Sequence, residues 1–269
     1  MKRVTVPEIR GRYASAEKIT MLTAYDSLMA AILDASPVDI LLVGDSLGTV
    51  ICGEETTLSV TLEQMIYHTR LVSRATRRAL VVADMPFLSY QASVEEAVRS
   101  AGRLLKEGGA QAVKLEGGEE MEAQVRAIVR AGIPVMGHLG LTPQSVHAMG
   151  GYKVQGKSQA EEEAILRSAK ALEEVGVFSI VLEGVPGRVA ERVGAAVAVP
   201  TIGIGAGLKC NGQVLVAQDM LGFSAPGREK TPRFVRRYAS LTEEIIRAVE
   251  AYVTDVRSGN FPGDKETYS

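Results

Sequence analysis

The chain has 269 residues and 46% hydrophobic content, enough for one sizeable core, and its net charge of −2 gives no reason to expect nucleic acid or an anionic membrane as a partner. No apolar stretch approaches a membrane span, and residues Met1 to Pro7 lack the apolar segment of a secretion signal, so a cytoplasmic protein is expected. Cys52 and Cys210 show no metal-ligand spacing and are expected as reduced thiols, and a chain with no Trp and 5% aromatics must build an aliphatic core.

In chain order the pattern is a repeated strand and helix. Strand one is predicted at about Ile19 to Thr23, with a helix from Ser27 to Ala35. Strand two, Ile40 to Val43, runs into a long loop from Gly44 to Thr57, a candidate site loop. Thr61 caps a helix from Leu62 to Arg74. Strand three is Leu80 to Ala83, and Ser93 with Glu96 opens a helix that stops near Gly108-Gly109. Strand four, Ala112 to Leu115, is followed by a helix from Glu119 to Ala131, then strand five from Pro134 to Gly137. The loop from Leu139 to Gln159 is Gly-rich and is expected as a mobile lid. A helix from Ala160 to Val175 leads to strand six, Ser179 to Leu182, a short helix from Pro186, and strand seven, Pro200 to Ile204. Strand eight falls somewhere in Val214 to Phe223, and a last helix covers about Pro232 to Arg257. No composition shift or linker breaks the chain, so one domain over 1–269 is expected, with a loose tail from about 259. Alternating βα units with this many strands predict a closed (β/α)₈ TIM barrel rather than an open sheet.

Several strands end in a polar residue, which would place those side chains on the rim where such barrels do chemistry. Asp45, Asp84 and Glu116 follow or end strands two, three and four. Hard carboxylate oxygens on adjacent strands suit Mg²⁺ or a similar cation, although one such Asp alone is more often a turn former or helix cap. Lys114 lies two residues before Glu116 and so shares its face of strand four. It would pair with a substrate carboxylate, act as a Schiff-base nucleophile, or simply emerge toward solvent. His138 ends strand five and would bind a substrate oxygen, move a proton, or serve as a structural histidine. Glu183 ends strand six behind four apolar residues, a placement for a general base or for a salt-bridged strand end. His68 and His147 read as ordinary helix and loop residues. The glycines of Gly203-Ile204-Gly205-Ala206-Gly207 suit a phosphate site or merely a tight turn.

Five segments together resemble one family: Val43-Gly44-Asp45-Ser46-Leu47-Gly48, Ala83-Asp84-Met85-Pro86-Phe87, Val113-Lys114-Leu115-Glu116-Gly117-Gly118, Gly137-His138-Leu139-Gly140-Leu141-Thr142-Pro143-Gln144 and Gly150-Gly151-Tyr152-Lys153-Val154-Gln155-Gly156. With Glu183, Ile202 to Gly207 and Asn211 to Val216, nearly the whole chain is similar to ketopantoate hydroxymethyltransferases. Gln218 departs from the resemblance, which more often has histidine there.

The resemblance implies a barrel of the phosphoenolpyruvate mutase and isocitrate lyase type. It implies Mg²⁺-dependent transfer of a one-carbon unit from 5,10-methylenetetrahydrofolate to the 2-oxo acid 3-methyl-2-oxobutanoate through an enolate. The product is 2-dehydropantoate, on the way to pantothenate, and large homo-oligomers, commonly decamers, are implied. Carried over residue by residue, Asp45 and Asp84 hold the metal with Glu116 nearby. Ser46 and Lys114 contact the 2-oxo acid, His138 lies beside it, and Glu183 accepts the proton. The alternatives are another metal-dependent 2-oxo acid lyase or aldolase on the same barrel, and a non-catalytic barrel scaffold. Cysteine in the lid marks many of the lyases, and neither Cys52 nor Cys210 lies there.

Overall fold

The structure is a computed structural model that describes residues 2–15, 17–226 and 232–268. Two compact units emerge, one up to Val216 and one over Ala217–Ser269.

The first unit opens with helix α1 (Val6–Ser15), then β1 (Ile19–Thr23), α2 (Ser27–Asp34), β2 (Ile40–Val43), α3 (Leu47–Val50) and α4 (Leu62–Ala75). There follow β3 (Leu80–Asp84), α5 (Val94–Lys106), β4 (Ala112–Glu116), α6 (Glu122–Arg130), β5 (Val135–Gly140) and α7 (Gln159–Glu174). The unit continues with β6 (Ser179–Glu183), α8 (Gly187–Ala196), β7 (Thr201–Ile204) and β8 (Gly212–Leu215). The eight strands pair in parallel in chain order, and β1 also pairs β8, so the barrel closes.

Strands β2, β3 and β4 are buried along their whole length, as strands covered on both faces must be. Alternate residues fill the interior: Met21, Ile40, Leu42, Leu80, Val82, Ala112, Met136, Val181, Ile202 and Val214 form one aliphatic cluster. Val4 and Ile9 join that cluster, so the start of the chain and α1 cover one end of it. No periodic apolar face announced α1, because Ile9 is its one buried residue. Thr61 closes a full capping box with Gln64 on α4, and Ser93 accepts the Glu96 N–H at α5.

Strand β5 extends to Gly140 rather than stopping at Gly137, because Leu139 and Gly140 pair with Leu182 and Glu183. The site loop after β2 contains a helical turn, α3. Beyond β5, the expected lid is pinned at two points: Leu141 N–H donates to Glu183 O (2.8 Å) and Gln155 N–H to Gly184 O (2.9 Å).

The second unit holds α9 (Ala217–Leu221) and α10 (Leu241–Ser258). Among the described residues α10 buries none of its side chains. The helix expected from Pro232 begins at Leu241, and residues 227–231 lie outside the described segments. The expected tail carries a short turn, Asp264–Glu266, and the Phe261 ring packs edge-on to Tyr252 at 5.6 Å. Among the described residues no helix is long and apolar enough to cross a membrane.

Candidate active site

The parity that fills the barrel with aliphatic side chains also builds the site. Asp84 follows Val82 by two positions, Lys114 follows Ala112, His138 follows Met136, and Glu183 follows Val181, so each continues an inward-facing row. Register then chooses neighbours: Asp84 pairs with Lys114, and Glu116 with His138. Asp45 and Ser46 enter from the turn after β2. A Cβ on Gly44 would lie 2.7 Å from Ser46 Oγ and 3.5 Å from Asp84 Oδ2, so the absence of a side chain there leaves room for both. Asp45, Ser46, Asp84, Lys114, Glu116, His138 and Glu183 all line one cavity of about 110 Å³. Its remaining wall includes Leu42, Val181, Ile204, Val214 and Val216.

Within the cavity the Lys114 ammonium binds Asp84 Oδ1, and Asp84 Oδ2 accepts the Asp45 N–H at 3.1 Å. His138 stands between two acids, with Nδ1 3.5 Å from Glu116 Oε1 and Nε2 3.3 Å from Glu183 Oε2. Neither contact has hydrogen-bond alignment, so among the described residues both ring nitrogens are without a hydrogen-bond partner. Ser46 Oγ lies 2.8 Å from the Tyr25 hydroxyl, and His68 Nδ1 lies 2.6 Å from the Tyr25 carbonyl oxygen. His68 therefore supports the residue that supports Ser46. His147 is exposed. The side chains of Asp84, Lys114, Glu116 and His138 are all 5% exposed or less, whereas Glu183 is 19% exposed. Glu183 is thus the acid most open to an incoming carbon acid.

Burial dominates the electrostatics. It raises Asp45 well above the carboxylate range, and the charges of Asp84 and Glu116 raise it further. It raises Asp84 too, against the pull of Lys114. Burial would lower the Lys114 ammonium, but Asp84, Glu116 and Asp45 together hold it above its ordinary value. Burial and Lys114 also oppose a charge on His138, yet Glu116 and Glu183 prevail and raise it to about 9.

Four carboxylates therefore share this cavity with one ammonium and one imidazole. That excess of buried negative charge, on hard oxygen donors, fits a divalent cation. Lys114 and Asp45 N–H occupy the two oxygens of Asp84, and Gln144 donates to Asp45 Oδ2 at 2.9 Å. Among the described residues no three acidic, imidazole or thiol groups stand in a ready ligand cluster. A cation here would be held by Asp45 and Asp84, with Glu116 close by, and water would complete its shell.

Sequence reasoning missed the supports around these acids. Tyr90 and Gln144 are buried beside Asp45 and Glu116, and Tyr25 behind Ser46. Only Gln144 lay within a motif quoted from the sequence, and nothing local distinguished it from any loop glutamine.

Residues 3–264 match the family model of ketopantoate hydroxymethyltransferase. A 3-methyl-2-oxobutanoate hydroxymethyltransferase of Syntrophus aciditrophicus (strain SB) is 54% identical over 99% of this chain and 97% of its own length. Another, from Clostridium beijerinckii (strain ATCC 51743 / NCIMB 8052), is 55% identical over 93% of this chain and 90% of its own. Among solved structures, 2,3-dimethylmalate lyase, a PEP mutase/isocitrate lyase superfamily member, superposes with a TM-score of 0.61 at 17% identity, covering 100% of this chain and 93% of that one. Phosphoenolpyruvate phosphomutase from Streptomyces platensis subsp. rosaceus gives a TM-score of 0.63 at 12% identity, over 94% and 88% of the two chains. The chain thus shares its barrel fold with members of the PEP mutase/isocitrate lyase superfamily, and, a transferase, it belongs to the ketopantoate hydroxymethyltransferase family.

Proposed function

We propose that this chain transfers the one-carbon unit of 5,10-methylenetetrahydrofolate to C3 of 3-methyl-2-oxobutanoate, forming 2-dehydropantoate for pantothenate synthesis, with Mg²⁺ as cofactor. The observation that carries this reading is the division of the cavity. Its carboxylates, ammonium and imidazole come from β2 to β6 and the turn after β2, whereas Ile204, Val214 and Val216 come from β7, β8 and the residue just beyond β8. In a closed eight-stranded barrel β7 and β8 lie across from β3 and β4. A small acid with a polar 2-oxo carboxylate and a branched alkyl end matches that polarity, and Glu183 on β6 stands where the two halves meet.

Mg²⁺, assigned to Asp45 and Asp84, supplies when bound Lewis-acid stabilisation of negative charge at the keto oxygen. The residues do the rest. Lys114 and Ser46 seat the acid, with the Lys114 charge offsetting the carboxylates around it. Glu183 accepts the C3 proton, a step worth about 10²–10⁴-fold by general base catalysis. C3 then bonds to the methylene carbon, both of that carbon's bonds to folate nitrogen break with their electron pairs on nitrogen, water oxygen ends on the transferred carbon, and the C3 proton and one water proton end on the two nitrogens. His138, 3.3 Å from Glu183 Oε2, orients the base. An ion-paired ammonium held above its ordinary pKa is a poor amine nucleophile, which disfavours Schiff-base chemistry at Lys114.

The test is exchange in D₂O with enzyme, Mg²⁺ and 3-methyl-2-oxobutanoate but no folate, alongside full turnover. Deuterium should enter C3 with wild type and fail to enter with Glu183→Gln. Full exchange by Glu183→Gln would remove Glu183 as the base. Turnover that survives EDTA would remove the cation, and absence of turnover by wild type would remove the reaction.

A further inference from the structure

We propose that Gln144, clamped by Tyr90, is a positioning residue that sets the Asp45 and Glu116 carboxylates for substrate binding. The inference rests on the reaction proposed above. Neither Gln144 nor Tyr90 lines the cavity, so any effect on the reaction must pass through the residues they hold.

Gln144 lies in the turn Pro143–Ser145 beyond β5 and is buried. Its Nε2 donates to Asp45 Oδ2 (2.9 Å) and to Met85 O (3.0 Å). Its Oε1 lies 2.7 Å from the Tyr90 hydroxyl and accepts from Gln91 Nε2 at 3.2 Å. An amide offers two donors and two acceptor positions, and all four are engaged. Turned over, the amide would aim its oxygen at Asp45 Oδ2 and at a peptide carbonyl, leaving two buried acceptors without donors. One orientation is therefore enforced.

Tyr90 makes that orientation firm. Its hydroxyl proton has two acceptors in reach, Gln144 Oε1 at 2.7 Å and Glu116 O at 3.0 Å, and the former is the closer. The same hydroxyl accepts the Glu116 N–H at 3.1 Å. The Gln144 N–H closes the bridge by donating to Glu116 Oε2 at 3.0 Å. One residue thus fixes one oxygen on each of two carboxylates through charge-assisted bonds. The Gln144 bond thus engages one oxygen of Asp45, Oδ2. The two carboxylates come from different strands, β2 and β4, and the loop after β5 joins them.

The test compares wild type with Gln144→Leu, Gln144→Glu, Tyr90→Phe and the Gln144→Leu/Tyr90→Phe double variant. For each, kcat and KM are measured with Tm, and binding of 3-methyl-2-oxobutanoate with Mg²⁺ is followed by calorimetry. Loss of a hydrogen bond to a charged group predicts about a 10- to 100-fold fall in kcat/KM for Gln144→Leu, carried by KM and matched in calorimetric affinity. Gln144→Glu keeps the volume but removes the donors, and should be at least as damaging. Tyr90→Phe removes a single oxygen and leaves packing intact, so it keeps the test open if Gln144→Leu does not fold; a fall of about 3- to 10-fold is expected, the size of one neutral hydrogen bond. The double variant should lose less than the two single losses combined, because part of the Tyr90 effect passes through Gln144. Lowered Tm with unchanged KM and affinity would overturn the proposal, as would full activity of Gln144→Glu or additive losses in the double variant. A wild type inactive on the 2-oxo acid would instead overturn the reaction, and the proposal with it.

Discussion

Replacing Lys114 by methionine isolates the electrostatics of the rim. Lys114 and Asp84 have side chains only 5% and 3% exposed, and the ammonium binds Asp84 Oδ1 directly. Methionine keeps the stem and its packing but leaves the carboxylate buried without its cation. Removing one member of a buried pair costs about 3–5 kcal/mol. For a chain of this size each kcal/mol moves Tm by about 2–4 °C, so a fall of roughly 6–20 °C is expected. A second change, Asp84→Asn, removes the stranded charge and still leaves an amide oxygen to accept the Asp45 N–H, which spans 3.1 Å in the native protein. The double variant should therefore be more stable than Lys114→Met alone and remain inactive. The assay is calorimetric or circular-dichroism melting in EDTA at neutral pH, so that no bound cation compensates. A Lys114→Met variant that melts with wild type, or a double variant less stable than the single, would refute the reasoning.

Three other changes probe separate parts of the molecule. Asp34 accepts backbone N–H groups from Arg77 (2.6 Å), Arg78 (3.0 Å) and Ala79 (2.7 Å), and although burial opposes its charge, these bonds hold it below its ordinary 3.8. A lowered carboxylate stabilises above its unfolded value and loses that contribution as pH falls through the folded one. Asp34→Ala should thus cost about 2–4 kcal/mol near neutrality, with the gap to wild type narrowing as pH falls below the ordinary 3.8; urea melts across pH that keep a constant gap would contradict this. Gly140 has φ +94°, and a Cβ there would sit 2.3 Å from Glu183 O, so Gly140→Ala should lower Tm and slow C3 exchange together, and a neutral result would show that the β5–β6 tip tolerates displacement. Val214→Ala enlarges the apolar wall and should raise kcat/KM for 3-methyl-2-oxopentanoate relative to 3-methyl-2-oxobutanoate about 10-fold, the worth of one methylene; an unchanged ratio would move the alkyl pocket elsewhere.

What could be read in the sequence depended on the range of the interaction. Strands such as Leu80–Asp84 are legible because a buried parallel strand writes itself as an apolar run ended by a polar residue. Lys114 and Glu116 share a face by local parity alone, and the structure keeps them on it. By contrast, α1 reads poorly, since it contributes one buried side chain, Ile9. The end of β5 was misplaced because Gly137 and Gly140 look like stops, while the pairing of Gly140 with Glu183 is a property of β6. Tyr90 and Gln144 were illegible for the same reason. Their bonds span 54 and 99 residues, to Gln144 and Asp45 respectively, and no local pattern encodes such separations.

The site is therefore a second layer laid over an ordinary barrel core. Two residues along each strand separate Val82 from Asp84, Ala112 from Lys114, Met136 from His138 and Val181 from Glu183. The aliphatic layer supplies the burial, and burial is what makes the acidic layer costly. Lys114 offsets one part of that cost and His138 another, yet four acids still exceed two cations. A core of this kind would be more stable with apolar residues at those positions. Its retention of the acids makes physical sense if the deficit is filled during the reaction, by a divalent cation and by the proton that Glu183 removes. On this argument, melting of the wild type should respond to Mg²⁺ and 2-oxo acid together: Tm rises with both, and the rise is lost when Asp45→Asn removes an acid proposed to hold the cation. A Tm shift that persists in Asp45→Asn would place the cation elsewhere on the rim.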